Sequence, residues 1–232
     1  VQTILEPTLP GYFWKKQRNI YKIMQTQNKK LVIFDFDGVL VNTIDLWFKL
    51  HKEANGHLTW EFFQDMSNGN FIKNQEKLKL DGEYVWPVSN QEKYEYELTN
   101  VFSIHDVLNI MITNLNQKHI ITIVSSGSER IISNFLKKEN VRDYFSDILG
   151  YETHASKSNK INSLLEKYSV LPENAVMITD SLGDIHEANE SGIKSIGVTW
   201  GIHGHEGLNK GNPLTIIDNP ILLEKAIEEA LG

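Results

Sequence analysis

The sequence contains no cysteine, which removes disulfides and thiolate chemistry from consideration without fixing the compartment. It has no apolar run approaching the roughly 18 residues needed to cross a bilayer, and neither an internal repeat nor a low-complexity tract. The first residues, VQTILEPTLPGYFWKK, lack the basic-then-apolar order of a secretory signal, so the cytoplasm is the expected location. Positive charge is not in excess either: a net charge of −7 over 232 residues argues against a general nucleic-acid binder. Hydrophobic residues at 41% and charged residues at 23% leave an ordinary globular chain, long enough for one sizeable domain with a smaller companion.

The charge is unevenly spread. Lys15, Lys16, Arg18, Lys22, Lys29 and Lys30 stand against Glu6 alone in the first thirty residues, a net +5 that leaves −12 for the rest. With Tyr12, Phe13, Trp14, Ile20, Tyr21, Ile23 and Met24 interleaved, residues 1–28 form a basic arm of the kind that meets a membrane surface or a partner. The alternative is an extra helix lying against the acidic core, and that is the reading taken.

Five short apolar runs have the length and β-branched content of buried parallel strands: Leu31–Phe36, Ile120–Val124, Asp147–Tyr151, Ala175–Thr179 and Ser195–Thr199. Between them lie segments with helical spacing. SERIISNFLKKENV places Ile131, Ile132, Phe135 and Leu136 on one face, and KINSLLEKYSV does the same with Ile161, Leu164, Leu165 and Tyr168. LGDIHEANESGI closes at Gly192 in the manner of a helix C-terminus. Strand and helix in alternation predict a parallel sheet covered on both faces.

The alternation breaks from about Trp47 to Phe102, where no strand-length apolar run occurs but 11 of the chain's 23 aromatics collect. A small insert needs bulky side chains to make any core of its own. Its position after the first strand also sets it over the sheet edge where ligands bind. Six lysines there face nine acids, which gives no reason to expect a large polyanionic substrate.

The chemistry lies in the polar residues at the end of each apolar run. LVIFDFDGVLVNT ends its run in Asp35 and Asp37, which an extended chain would set on one side, a costly arrangement unless a cation or a reaction compensates. IITIVSSGS supplies Ser125, Ser126 and Gly127; SKSNK supplies Lys157 and Lys160; AVMITDSLGD supplies Asp180 and, one helical turn on, Asp184. Carboxylates, hydroxyls, an ammonium and glycine turns converging on one sheet edge describe a site for a divalent cation and a phosphate. Hard oxygen ligands suit Mg²⁺, and backbone N–H groups beside Ser126 and Gly127 suit an oxyanion.

Taken in order, DFDGVLVNT, TIVSSGS and VMITDSLGDIHEANESGI resemble the first, second and fourth motifs of the haloacid dehalogenase superfamily, in particular its phosphatase branch with a helical cap after the first motif, as in phosphoglycolate phosphatase and β-phosphoglucomutase-like proteins. The resemblance covers about residues 29–232. It implies an α/β fold: a doubly wound, parallel-sheet (Rossmann-like) core at 29–46 and 103–232 with a small α-helical cap domain at 47–102. It implies a phosphomonoesterase acting on a small phosphorylated metabolite, with Asp35 as nucleophile forming an aspartyl-phosphate and Asp37 as general acid and base. Mg²⁺ would be held by the Asp35 carboxylate, the Asp37 carbonyl, Asp180 and Asp184. Ser125, Ser126 and a lysine would hold the phosphoryl oxygens, Lys157 being preferred and Lys160 then left as a solvated surface charge. Thr179 stands where the family usually has glycine.

Several assignments have plain structural counterparts. Ser125 could cap the helix beginning near Ser128, and Asp184 could be a first-turn acid favoured by the helix dipole. His203 and His205 in WGIHGHEG are read as a specificity or surface loop rather than a metal pair. A phosphosugar mutase shares every core motif, and a non-catalytic module keeping the metal-phosphate pocket is the reading from another class. Dehalogenation of 2-haloacids needs no acid two residues after the nucleophile, so Asp37 argues against it.

Overall fold

The computed structural model describes residues 30–82, 84–85 and 90–232; the basic arm at 1–28 lies outside them. A six-stranded parallel sheet in the order β3-β2-β1-β4-β5-β6 organises the chain. Its strands are β1 (Leu31–Phe34), β2 (Ile120–Val124), β3 (Asp147–Leu149), β4 (Ala175–Thr179), β5 (Lys194–Val198) and β6 (Thr215–Ile217). Ten α-helices are described: α1 (Ile44–Ala54), α2 (Trp60–Met66), α3 (Phe71–Leu80), α4 (Gln91–Asn100) and α5 (Asp106–Lys118) between β1 and β2, then α6 (Glu129–Lys138), α7 (Lys157–Tyr168), α8 (Leu182–Glu190), α9 (His205–Asn209) and α10 (Leu223–Leu231).

β1 is central and buried on both faces, and its alternation divides the core. Val32 and Phe34 pack with Leu108, Leu115, Ile132 and Ile227, from α5, α6 and α10. Leu31 and Ile33 face the other way, with Ile161, Leu164 and Ala188 from α7 and α8. Helices on both faces are what a parallel sheet needs, because neither face can be left to water. Full burial of each such side chain contributes about 1.5–3 kcal/mol. Helix α6 shows the sequence logic plainly: Ile131, Ile132, Phe135 and Leu136 are all buried.

The expected doubly wound α/β core is present, with adjusted limits. β1 stops at Phe34 rather than Phe36 and β3 at Leu149 rather than Tyr151, while β5 begins one residue earlier. The ladder nonetheless reaches Asp35, whose N–H donates to the Ile178 carbonyl at 2.9 Å; beyond it the chain turns through Gly38 at φ +74°. β6, α5, α9 and α10 have no counterpart in the sequence reading. β6 has three half-buried residues at the sheet's edge, too short a run to register as an apolar strand. Between β1 and β2 the described residues form helices and connecting loops. Ile44, Leu58, Phe63, Met66 and Tyr84 make a separate small core there, joined by Ile202. Among the described residues no helix is long and apolar enough to cross a membrane.

Candidate active site

The parallel sheet brings the C-terminal ends of β1, β2 and β4 to one edge, and the loops leaving them converge there. Asp35 Oδ1 accepts from the Phe36 N–H at 2.7 Å, while Oδ2 takes the Lys157 ammonium at 2.8 Å. Asp37, two residues on, has different company: its Oδ1 accepts from the Tyr94 hydroxyl at 2.6 Å and from the Thr43 hydroxyl. The turn after β1 therefore separates two carboxylates that an extended chain would set side by side.

Lys157 is the first residue of α7, and its Nζ also reaches Asp184 Oδ2 at 2.7 Å. It is buried, which a lysine tolerates only when paired. Its backbone is pinned by buried Glu187, whose Oε1 accepts from the Lys157 N–H at 2.8 Å and the Ser156 hydroxyl at 2.9 Å. The sequence reading missed Glu187 because nothing local marks a mid-helix glutamate as the anchor of another helix. Asp184 does stand in the first turn of α8, its N–H donating to Ser181 Oγ. Its side chain nevertheless serves the site, accepting from Lys157 and from the Thr179 hydroxyl at 2.7 Å. Thr179, the departure from the motif, is thus a partner of the second acid.

Lys160 is corrected. It is not a solvated surface charge but wholly buried, donating to the Ser125 carbonyl at 2.6 Å and the Gly150 carbonyl at 3.1 Å. One turn after Lys157 on the same helix face, it points under the β2 loop and ties two loops together. Ser125 is buried and its Oγ accepts from the Gly127 N–H at 2.9 Å, so it shapes the turn while its own hydrogen remains available to donate. Ser126 and Gly127 line the cavity above Asp35.

His203 is corrected too: it is buried within its loop rather than on the surface. Its Nδ1 accepts from the Leu182 N–H at 3.3 Å, and its Nε2 meets Asn68 Oδ1 at 3.0 Å. It braces the β4 loop against the loop between α2 and α3, where the Ser67 carbonyl accepts from the Gly183 N–H at 2.9 Å. His205 opens α9 and is exposed.

Burial dominates the electrostatics. It pushes the Asp35 carboxyl well up, with Lys157 opposing and Asp184 and Asp180 adding to the rise. Burial likewise raises Asp37, against the hydrogen bonds from Thr43 and Tyr94, and lifts Asp180 to about 7 despite its bond from the Ile202 N–H. For Asp184 burial acts upward, yet Lys157 and the hydrogen bonds from its partners hold it below the usual range. Of the described residues, one ammonium thus stands amid three buried carboxylates, paired with Asp35 and Asp184 while Asp180 has the Ile202 N–H.

That imbalance bears on a metal. The donor set is hard oxygen, which suits Mg²⁺, and Asp180 sits in a cradle that only glycine permits. A Cβ on Gly38 or Gly201 would fall 2.0 or 2.1 Å from its Oδ2. Asp35 and Asp184 are meanwhile turned to Lys157, and among the described residues no three acidic or histidine side chains are gathered into a ready ligand shell. The residues present fit a divalent cation in charge and donor type.

The helical insert roofs the cavity. Trp47 and Phe63 line it with Phe71 and Tyr94, Trp47 stacking on Tyr94 at a centroid distance of 4.3 Å. Four of the insert's aromatics thus face the site, while others, such as Phe48, Trp60 and Tyr84, pack in its own small core.

Comparison with known proteins agrees with this architecture. Residues 32–198 match the family model described as haloacid dehalogenase-like hydrolase. A phosphoglycolate phosphatase of Vibrio vulnificus strain CMCP6 is 21% identical over 84% of this chain and 95% of its own. One from strain YJ016 is 28% identical over 102 residues, 43% of this chain and 45% of that protein, so that match spans under half of either. Among solved structures, a predicted phosphoglycolate phosphatase from Haemophilus somnus superposes with a TM-score of 0.69 at 19% identity, covering 86% of this chain and 98% of that one.

Proposed function

The chain belongs to the haloacid dehalogenase-like hydrolase family, and from that premise we propose that it is a Mg²⁺-dependent phosphomonoesterase acting on a small phosphorylated metabolite. One observation carries the reading: two carboxylates of one turn are held by different partners, Asp35 by an ammonium and Asp37 by two hydroxyls. Neighbouring acids in unlike surroundings are the usual basis for dividing nucleophile from proton carrier.

In this reading an Asp35 oxygen attacks phosphorus, the bond to the leaving oxygen breaks, and Asp37 gives that oxygen its proton. Burial keeps the Asp37 carboxyl raised, which favours the protonated form that step needs. Asp37, now a carboxylate, takes a proton from water as that water attacks phosphorus and the bond to Asp35 breaks, releasing phosphate. Lys157 and the hydroxyls of Ser125 and Ser126 hold phosphoryl oxygens, and N–H groups of the Ser126–Gly127 turn add donors without reorganising. Mg²⁺, held by Asp35, Asp180, Asp184 and the Asp37 carbonyl, would neutralise the charge that sets nucleophile against phosphate. Residues 47–102 act as a cap that excludes water over a core of 29–46 and 103–232.

The test is phosphate release from a panel of small phosphomonoesters, with and without Mg²⁺, from the parent and from Asp35→Asn. The reading expects metal-dependent turnover that the substitution abolishes. Turnover surviving in Asp35→Asn, or none from the parent, would overturn it.

A further inference from the structure

The cavity over Asp35 has two walls of opposite chemistry. The sheet edge contributes the charges among the lining residues: Asp35, Asp37, Asp180, Asp184 and Lys157. The described residues of the insert contribute none. Its lining residues include Trp47, Phe63, Phe71, Gln91 and Tyr94, with Trp47 and Tyr94 stacked at an interplanar angle of 26° and Phe63 and Phe71 edge to face at 87°. Ile131 and Ile202 complete the apolar surround.

Cations are close in sequence yet withheld from this space. Lys49, Lys52, Lys73, Lys77 and Lys79 are exposed on the insert's outside. Lys93 pairs with Glu53 at 2.7 Å. Arg130, beside the lining residue Ile131, is held by both oxygens of Glu95 at 2.7 and 2.8 Å. Among the described residues Lys157 is the one cation lining the cavity, and it already serves Asp35 and Asp184. A second anion on the substrate, beyond the phosphoryl group, would therefore meet no unpaired cation among the described residues, only neutral donors such as Gln91, Ser126 and Ser128 beside the acids, too little to replace its hydration in full.

We propose that this site takes phosphomonoesters whose leaving group is uncharged and presents a flat apolar surface, and disfavours those whose leaving group bears a carboxylate or a second phosphate. The proposal rests on the phosphomonoesterase reading and narrows it. The substrate in the names of the Vibrio relatives, phosphoglycolate, falls on the disfavoured side because its leaving group carries a carboxylate beside the ester oxygen. Stacking of a planar group against Trp47 or Phe71 supplies attraction where the relatives' substrate would need a cation.

The experiment compares kcat/KM for benzyl phosphate, 4-carboxybenzyl phosphate and 2-phosphoglycolate with Mg²⁺ present. The two benzyl esters share a reacting centre and differ by one distant carboxylate. Benzyl phosphate is expected to exceed both carboxylates by about tenfold or more, the discrimination typical of an unpaired polar group in a closed pocket. In Gln91→Arg, which places a cation on the apolar wall, the ratio of benzyl to 4-carboxybenzyl ester should fall by about tenfold. If either carboxylate is turned over as well as benzyl phosphate, the substrate class is wrong while the phosphomonoesterase reading stands. If none of the three is hydrolysed, the broader reading fails and takes this one with it. Should Gln91→Arg not fold, the parent's own ratio decides.

Discussion

The Tyr94 hydroxyl, carried by the insert helix α4, donates to Asp37 Oδ1 at 2.6 Å across the cavity mouth. A residue from the roof therefore holds the carboxylate that the mechanism makes the proton carrier. Burial raises the phenol's own pKa well above its ordinary value, so Tyr94 stays a donor. Removing the hydroxyl leaves Thr43 as Asp37's remaining hydroxyl partner. A hydrogen bond to a charged group is worth about 1.5–3 kcal/mol, so Tyr94→Phe should lower kcat for an alkyl phosphate about tenfold or more. An aryl phosphate, whose leaving oxygen needs less help from an acid, should lose less. Equal losses on both esters would mean that Tyr94 only shapes the pocket.

Lys157→Met would strand two buried carboxylates. Asp35 and Asp184 share its ammonium at 2.8 and 2.7 Å. Removing one member of such a buried group costs about 3–5 kcal/mol. Thermal melting of the metal-free variant should show that loss, and added Mg²⁺ should recover part of it. An unchanged melting temperature would show the ammonium to be solvated in the working protein.

The contribution of Asp180 to the stability of the metal-free protein should fall as pH rises from about 4 to about 7. Asp180 titrates near 7 in the fold against an ordinary value of 3.8, and Asp35 and Asp37 are raised as well. A group with a raised folded pKa binds more protons folded than unfolded, so its stabilising contribution is complete below the unfolded pKa and lost as pH rises through the folded one. The lowered Asp184 and the raised Lys157 act outside this window, but His51, pushed down to about 4 by burial, and the lowered His203 act inside it with the opposite sign. The comparison is therefore between the parent and Asp180→Asn: the parent's melting temperature relative to the variant should decline across the range without metal and flatten with Mg²⁺. A difference that rises between about pH 4 and 7 without metal would contradict the environment described for Asp180.

Gly201→Ala should damage metal use. Its Cβ would land 2.1 Å from Asp180 Oδ2 and 2.2 Å from Asp180 Cβ, so the carboxylate and the chain beside it must move, while the Ile202 N–H that anchors the carboxylate at 2.7 Å is one residue away. The Mg²⁺ concentration for half-maximal turnover should rise about tenfold or more, as expected when a ligand's orientation is disturbed. An unchanged Mg²⁺ requirement would remove Asp180 from the ligand set.

Much of this was legible in the chain, for a physical reason. Leu31–Phe34 and Ala175–Thr179 are buried on both faces, so their apolar runs are continuous and the polar residue ending each run marks the sheet edge. Asp35, Ser125 and Asp180 stand out by that rule. Lys160 and His203 did not, because each is satisfied by backbone or amide groups distant in sequence. Their local sequence, charged or glycine-rich, reads as surface. Glu187 and Tyr94 were hidden for the same reason: their partners are set by tertiary packing. The aromatic wall was visible as composition, but only the fold shows which rings face the cavity.

The most direct test of the central claim is acid quenching during turnover of a phosphomonoester with Mg²⁺, followed by peptide mass analysis. The account predicts a phosphoryl adduct on the peptide carrying Asp35, absent together with turnover in Asp35→Asn. Turnover by the parent with no such adduct, and undiminished in Asp35→Asn, would contradict it.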